Sequence, residues 1–149
     1  MLNIYFAGAI RGGRDDAQLY AQLVTYLKTF GTVLTEHVGD EGLLQEEKSL
    51  GEEQIFQRDM QWLKAADLVI AEVSTPSLGV GYEIGLAQAM GKQIFCLYRP
   101  GENRRLSAMI AGNPALQVGS YTRRAEAEKL LAGWIEQFRS NREAGSVRS

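Results

Sequence analysis

The sequence predicts an α/β fold: a flavodoxin-like, doubly wound, five-stranded parallel sheet with helices on both faces. Three observations carry this expectation. Short runs dominated by apolar residues recur at Leu2–Ala7, Leu68–Val73 and Gln93–Tyr98, as strands covered on both faces require. Amphipathic patterns of helical period alternate with them. The 149 residues suit one domain with a full core.

Taken in order, Leu2 to Ala7 is the first strand, ended by Gly8. Asp15 or Asp16 can cap a helix reaching Phe30, with Leu19, Leu23, Leu27 and Phe30 on one face. Gly31 is expected to close that helix as a C′ residue, before a short strand from Thr32 to Thr35. Residues 39–50 are acidic, glycine-punctuated and weakly periodic, which suits a solvated connector or a lid. Ser49 and Glu52 have capping-box spacing at the head of a helix reaching Ala66. The apolar Leu68–Val73 strand, a helix from Gly79 to Met90 and the Gln93–Tyr98 strand follow. A helical segment around Arg105–Ile110, a strand near Leu116–Val118 and a helix from Arg123 to Phe138 complete a domain expected to span 1–140. Residues 141–149, polar and rich in Arg, Ser and Gly, are expected to form a flexible tail.

Hydrophobic residues make up 45% and charged residues 23%, ordinary for a soluble globular protein. A net charge of -2 with a pI near 5.5 argues against nucleic acid polymers and anionic membranes as partners. A small anionic ligand needs only a local site and stays compatible. With no apolar run of spanning length and no leader pattern, a cytoplasmic location is expected, or a nuclear one in a eukaryote. Cys96 lies within an apolar strand and reads as a small hydrophobe. One Cys and one His do not make the usual zinc ligand sets, so neither a metal nor another cofactor is expected.

In doubly wound sheets, ligands bind outside the carboxyl ends of the strands, at the topological switch point. That rule gathers Gly8–Arg14, Glu36-His37 and Ser74–Glu83. In the last segment, Ser77, Gly79 and Gly81 let a ligand approach bare backbone at a helix start, where unpaired N–H groups attract an anion. Glu83 is expected in the first helical turn, where the macrodipole favours its ionised form. Asp59 sits in the middle of an apolar arc made by Ile55, Phe56, Trp62, Leu63 and Ala66, with Gln57, Arg58, Gln61 and Lys64 opposite. A carboxylate there either accepts backbone N–H bonds or points into a site, where partial desolvation raises its pKa. A proton-holding Asp and an ionised Glu would form the split pair that retaining glycoside chemistry uses. Arg11 or Arg14 could meet a phosphate, Tyr5 could hydrogen-bond Glu83, and His37 stands where it could contact a base. Trp62 suits packing better than base stacking. The Gly8–Arg14 loop is not a Walker A loop, and Gly79-Val80-Gly81 is not a Rossmann fingerprint, because it follows the wrong strand and the next glycine falls at Gly85, one place late.

Four blocks carry a resemblance: Tyr5 to Arg14, Gly31 to Val38, Pro76 to Gly85 and Leu106 to Ile110. In this order they resemble the 2′-deoxynucleoside 5′-monophosphate N-glycosidases of the nucleoside 2-deoxyribosyltransferase superfamily, over nearly the whole chain. The resemblance implies a homodimer that releases a free base and 2-deoxyribose 5-phosphate. It implies Glu83 as nucleophile, Asp59 as acid/base and Tyr5 as support for the nucleophile. Ser77, Gly79 and the partner subunit's Ser107 match the phosphate contacts. Gly8, Ile10, Arg11 and Gly12 match the first nucleotide-binding loop, with Met109 and His37 as further substrate contacts. Ala9 departs from the Ser common in relatives, which bears on base or sugar preference. Three alternatives stay open: a deoxyribosyltransferase, a ribonucleotide (CMP-type) N-glycosidase, and a nucleotide-sensing module, which would have no use for Asp59.

Overall fold

The structure, a computed structural model, describes residues 1–10, 14–35 and 50–148, with only the backbone of Arg14 and of residues 146–148. Arg11, Gly12, His37 and residues 39–49 of the acidic segment lie outside the described residues. Five strands form one all-parallel sheet: β1 (Leu2–Gly8), β2 (Gly31–Val33), β3 (Leu68–Glu72), β4 (Gln93–Tyr98) and β5 (Leu116–Ser120). Their order is β2-β1-β3-β4-β5, the flavodoxin-like winding. The helices are α1 (Arg14–Leu27), α2 (Glu52–Ala65), α3 (Leu78–Ala89), α4 (Ala108–Ala111) and α5 (Arg124–Arg148).

Alternation along each strand splits the core into two layers. Ile4, Phe6, Leu68, Ile70, Phe95 and Leu97 pack against Tyr20, Leu23 and Leu27 of α1 and Leu131, Trp134 and Ile135 of α5. Tyr5, Ala7, Val69, Ala71, Ile94 and Cys96 pack under Leu63 of α2 and Val80, Ile84 and Ala87 of α3. Cys96 is buried and free of any disulfide, in keeping with a small core hydrophobe. At the end of α3, Gly91 has φ +74° and closes a Schellman turn, its N–H on the Gln88 carbonyl and that of Lys92 on Ala87.

Several boundaries differ from the sequence expectations. Gly31 begins β2 instead of capping α1 in a left-handed conformation. It is required there by contact, since a Cβ would stand 2.2 Å from the Leu2 carbonyl oxygen. Strand β2 pairs only through Val33, and the buried Thr35 hydroxyl then takes over, bonding both the N–H and the carbonyl of Phe6 at 2.8 and 2.7 Å. Helix α2 starts after Gly51, whose N–H donates to Gln54 Oε1 at 3.1 Å, so Gly51 and Gln54 replace Ser49 and Glu52 at the cap. Finally, α5 runs to Arg148 where a flexible tail from 141 was expected, and Arg142 meets Asp67 at 3.3 Å.

Candidate functional site

Strand β1 sits between β2 and β3, so the chain leaves the carboxyl ends of β1 and β3 in opposite directions. Tyr5 faces the α2/α3 layer and is 1% exposed, and its hydroxyl donates a short hydrogen bond to Glu83 Oε2. Burial first, then the Glu83 and Asp59 carboxylates, push the phenol well above the ordinary tyrosine pKa. The phenol therefore stays protonated at neutral pH, a fixed donor to the Glu83 carboxylate.

Helix α3 begins one residue earlier than expected. Ser77 is its N-cap, with Oγ accepting from the Val80 N–H at 3.2 Å. Glu83 is thus the sixth residue of the helix, in the second turn, where the macrodipole acts weakly. The Tyr5 hydroxyl, and not the first-turn dipole, is the stabilising partner on display. Gly79 lies between the cap and the carboxylate. A Cβ built there would be 3.8 Å from Ser77 Oγ and 4.0 Å from Glu83 Oε1, so its missing side chain leaves a gap bordered by both.

Asp59 approaches from α2, close enough for its charge to act on the Tyr5 phenol. One phenol therefore feels both carboxylates expected to act together. The apolar arc of α2 is only partly covered: Leu63 and Ala66 are buried, but Phe56 is 46% exposed. Arg58, expected on the opposite side, turns back to Asp59 with Nε and Nη2 each 3.1 Å from Oδ1. Its guanidinium also covers the Trp62 ring at 4.9 Å, and Trp62 packs partly buried against the α2/α3 layer. The arc is partly exposed as well as facing the core, which is why it tolerates a carboxylate and a cation. Phe56 and Tyr82 meet at its rim, centroids 6.4 Å apart.

The remaining predicted residues fall into two groups. Ser77, Ser107 and Met109 line one cleft of about 570 Å³ between the β3–α3 loop, α3 and α4. Tyr5, Asp59 and Glu83 are not among its described lining residues. Ser107 caps α4, Oγ accepting from the Met109 N–H at 3.2 Å, and leaves its hydroxyl proton to donate outward. Leu78 and Met109 are 96% and 80% exposed beside this cleft. At the end of β1, Gly8 rests on Tyr20, whose ring would be 2.8 Å from an added Cβ. Ala9 is buried, and Ile10 is 41% exposed at the start of the first loop. Among the described residues, no cluster of three or more His, Cys, Asp or Glu side chains could hold a metal ion.

The sequence reading passed over a charged cluster on the α1/α5 side. Glu72, placed within an apolar strand, is 0% exposed. It accepts from the Ser74 N–H at 2.7 Å and from the Tyr121 hydroxyl, and Arg99 Nε lies 3.3 Å away. Asp16, expected as a helix cap, is buried in the first turn of α1 and accepts from Arg99 Nη2 at 2.9 Å. The available signal was Glu72 itself, a lone carboxylate in a strand covered on both faces.

Comparison with known proteins places the chain. The profile of the nucleoside 2-deoxyribosyltransferase family matches residues 4–133. The 5-hydroxymethyl-dUMP N-hydrolase of Rattus norvegicus is 48% identical over 97% of this chain and 91% of its own length. Its Homo sapiens namesake is 49% identical over 89% of this chain and 79% of its own. Among solved structures, a CMP N-glycosidase of Clostridium botulinum superposes with TM-score 0.65 at 23% identity, covering 89% of this chain and 98% of that one. That likeness concerns the fold alone. On the profile match and the near-full-length identity, the chain belongs to the nucleoside 2-deoxyribosyltransferase family.

Proposed function

We propose that this protein hydrolyses the N-glycosidic bond of 2′-deoxynucleoside 5′-monophosphates, releasing free nucleobase and 2-deoxyribose 5-phosphate. The observation that carries the proposal is the Tyr5 hydroxyl bonded to Glu83 within the field of Asp59, next to the gap at Gly79. The names of the rat and human relatives support hydrolysis of a deoxynucleotide over transfer of its sugar. Glu83 attacks C1′ and forms an ester as the C1′–N bond breaks. The departing base takes its electron pair and receives a proton from Asp59. Water then attacks C1′, gives its proton to Asp59 and frees Glu83, so configuration is retained. Lacking a 2-hydroxyl, the sugar reaches oxocarbenium character readily. The Ser77 hydroxyl, the Gly79 N–H and Arg11 hold the 5′-phosphate.

The protein acts as a homodimer in which the partner subunit's Ser107 completes the phosphate site. The exposed Leu78 and Met109 flanking the cleft support this, being large apolar side chains left uncovered in one chain. The test is base release, resolved chromatographically, from a panel of normal and base-modified deoxynucleoside monophosphates that includes 5-hydroxymethyl-dUMP. Free base should appear with the parent protein and nearly vanish with Glu83→Ala. Labelled free base added to the reaction should stay out of the nucleotide pool, and dGMP should be cleaved in preference to GMP. Incorporation of label would replace hydrolysis with transfer.

A further inference from the structure

The active-site side chains lie on the α2/α3 face of the sheet, yet the segment joining β3 to α3 is fastened on the opposite face. Residues 73–76 hold Ser77 and Gly79 in place and start the helix that carries Glu83. Four contacts fix this segment, two from carboxylates on the α1/α5 side and two from the end of β4. The Ser74 N–H donates to Glu72 Oε1 at 2.7 Å, and Ser74 Oγ accepts from the Arg99 N–H at 2.8 Å. The Thr75 hydroxyl donates to Asp16 Oδ2 at 2.7 Å, and the Val73 N–H donates to the Leu97 carbonyl at 2.9 Å. Arg99 bridges the two buried carboxylates, reaching Asp16 at 2.9 Å and Glu72 at 3.3 Å. The Tyr121 hydroxyl completes the shell of Glu72.

A buried ion triad is weak evidence for stability, since desolvation offsets most of its attraction. This one is better explained by what it orients. Asp16 belongs to α1, Glu72 to β3, and Arg99 and Tyr121 follow β4 and β5, so four separate elements converge on two loop residues. We propose that the Asp16–Arg99–Glu72 triad is a positioning clamp. Through Ser74 and Thr75 it sets the height of Ser77 and Gly79, and so governs recognition of the substrate's phosphate. The clamp rests on the proposed phosphate contacts of Ser77 and Gly79.

The obvious variant, Arg99→Met, strands two buried carboxylates and is expected to unfold the protein. Thr75→Val is gentler: it keeps the shape of a half-buried side chain and removes only the bond to Asp16. It should raise KM for a deoxynucleoside monophosphate about tenfold, the scale of one hydrogen bond to a charged group, with kcat within about twofold. Thr75→Ser, which restores the hydroxyl, should return KM to the parent value. Cleavage of the unphosphorylated deoxynucleoside should be unchanged by either. Without any ligand, amide hydrogen exchange at residues 77–80 should quicken in Thr75→Val and not in Thr75→Ser. Equal losses on phosphorylated and unphosphorylated substrates, or unaltered exchange in Thr75→Val, would overturn the clamp. If the parent protein releases no base at all, it is the proposed activity that fails, and the exchange comparison still decides the clamp.

Discussion

Gly79→Ala isolates the gap between Ser77, the proposed phosphate anchor, and Glu83, the proposed nucleophile. The added methyl would sit 3.8 Å from Ser77 Oγ and 4.0 Å from Glu83 Oε1, ordinary van der Waals distances that displace neither group. The position is exposed and helical, so alanine should stabilise by roughly 0.5–1 kcal/mol relative to glycine. For a chain of this size that corresponds to a rise in Tm of about 1–4 °C. The N–H of residue 79 is retained, so the phosphate keeps that donor. In the proposed reaction, however, the sugar passes where the methyl stands. A displacement of about 1 Å at the reacting atoms costs on the order of 100-fold in rate. Steady-state base release and a thermal melt on the same samples would test this. The expected result is a higher Tm with kcat/KM lowered about 100-fold. Parent-like kcat/KM would show that substrate does not thread between Ser77 and Glu83, and a lowered Tm would show that the gap serves packing.

Tyr5→Phe keeps the buried ring and removes one hydrogen bond to a carboxylate, a change of about 1.5–3 kcal/mol. It should lower kcat by roughly 10- to 100-fold with KM little changed, and steady-state kinetics would check the split. A second expectation concerns alkaline stability. Burial holds Tyr5, Tyr20 and Tyr121 above their ordinary 10.0 and pushes Cys96 up to about 12 from 9.0. The unfolded chain gives up these protons first, so it binds fewer, and stability must fall as pH rises above about 9. Denaturant midpoints should be flat through pH 8 and decline steadily by pH 10.5, while the folded protein leaves Cys96 unalkylated at pH 8. For the proposed dimer, mixing Glu83→Ala with Ser107→Ala chains should recover activity that neither has alone, because mixed dimers would contain one intact site. Sites confined to single chains would show no recovery.

The strand order was legible because buried parallel strands leave long apolar runs, and the Tyr5–Glu83 pair was legible because strand one and the third-strand loop meet at the switch point. What escaped was set by contacts between distant segments. Asp16 and Arg99 stand 83 residues apart, and nothing local distinguishes a helix-capping aspartate from one turned inward to meet an arginine. Glu72 was submerged in the apolar run that identified its strand. Counted even from Gly79, Glu83 is the fifth helical residue and lies past a first turn of about 3.6 residues, so the dipole argument gave way to a hydrogen bond from another strand. Arg58 was placed by helical angle alone, which ignores the reach of a long side chain to its neighbour Asp59.

The central claim is that Glu83 bonds covalently to C1′. Mass spectrometry of protein quenched in acid during turnover tests it most directly. The account predicts a peptide containing Glu83 that carries one 2-deoxyribose 5-phosphate, absent from the Glu83→Ala protein. An adduct on any other residue, or undiminished base release by Glu83→Ala, would contradict it.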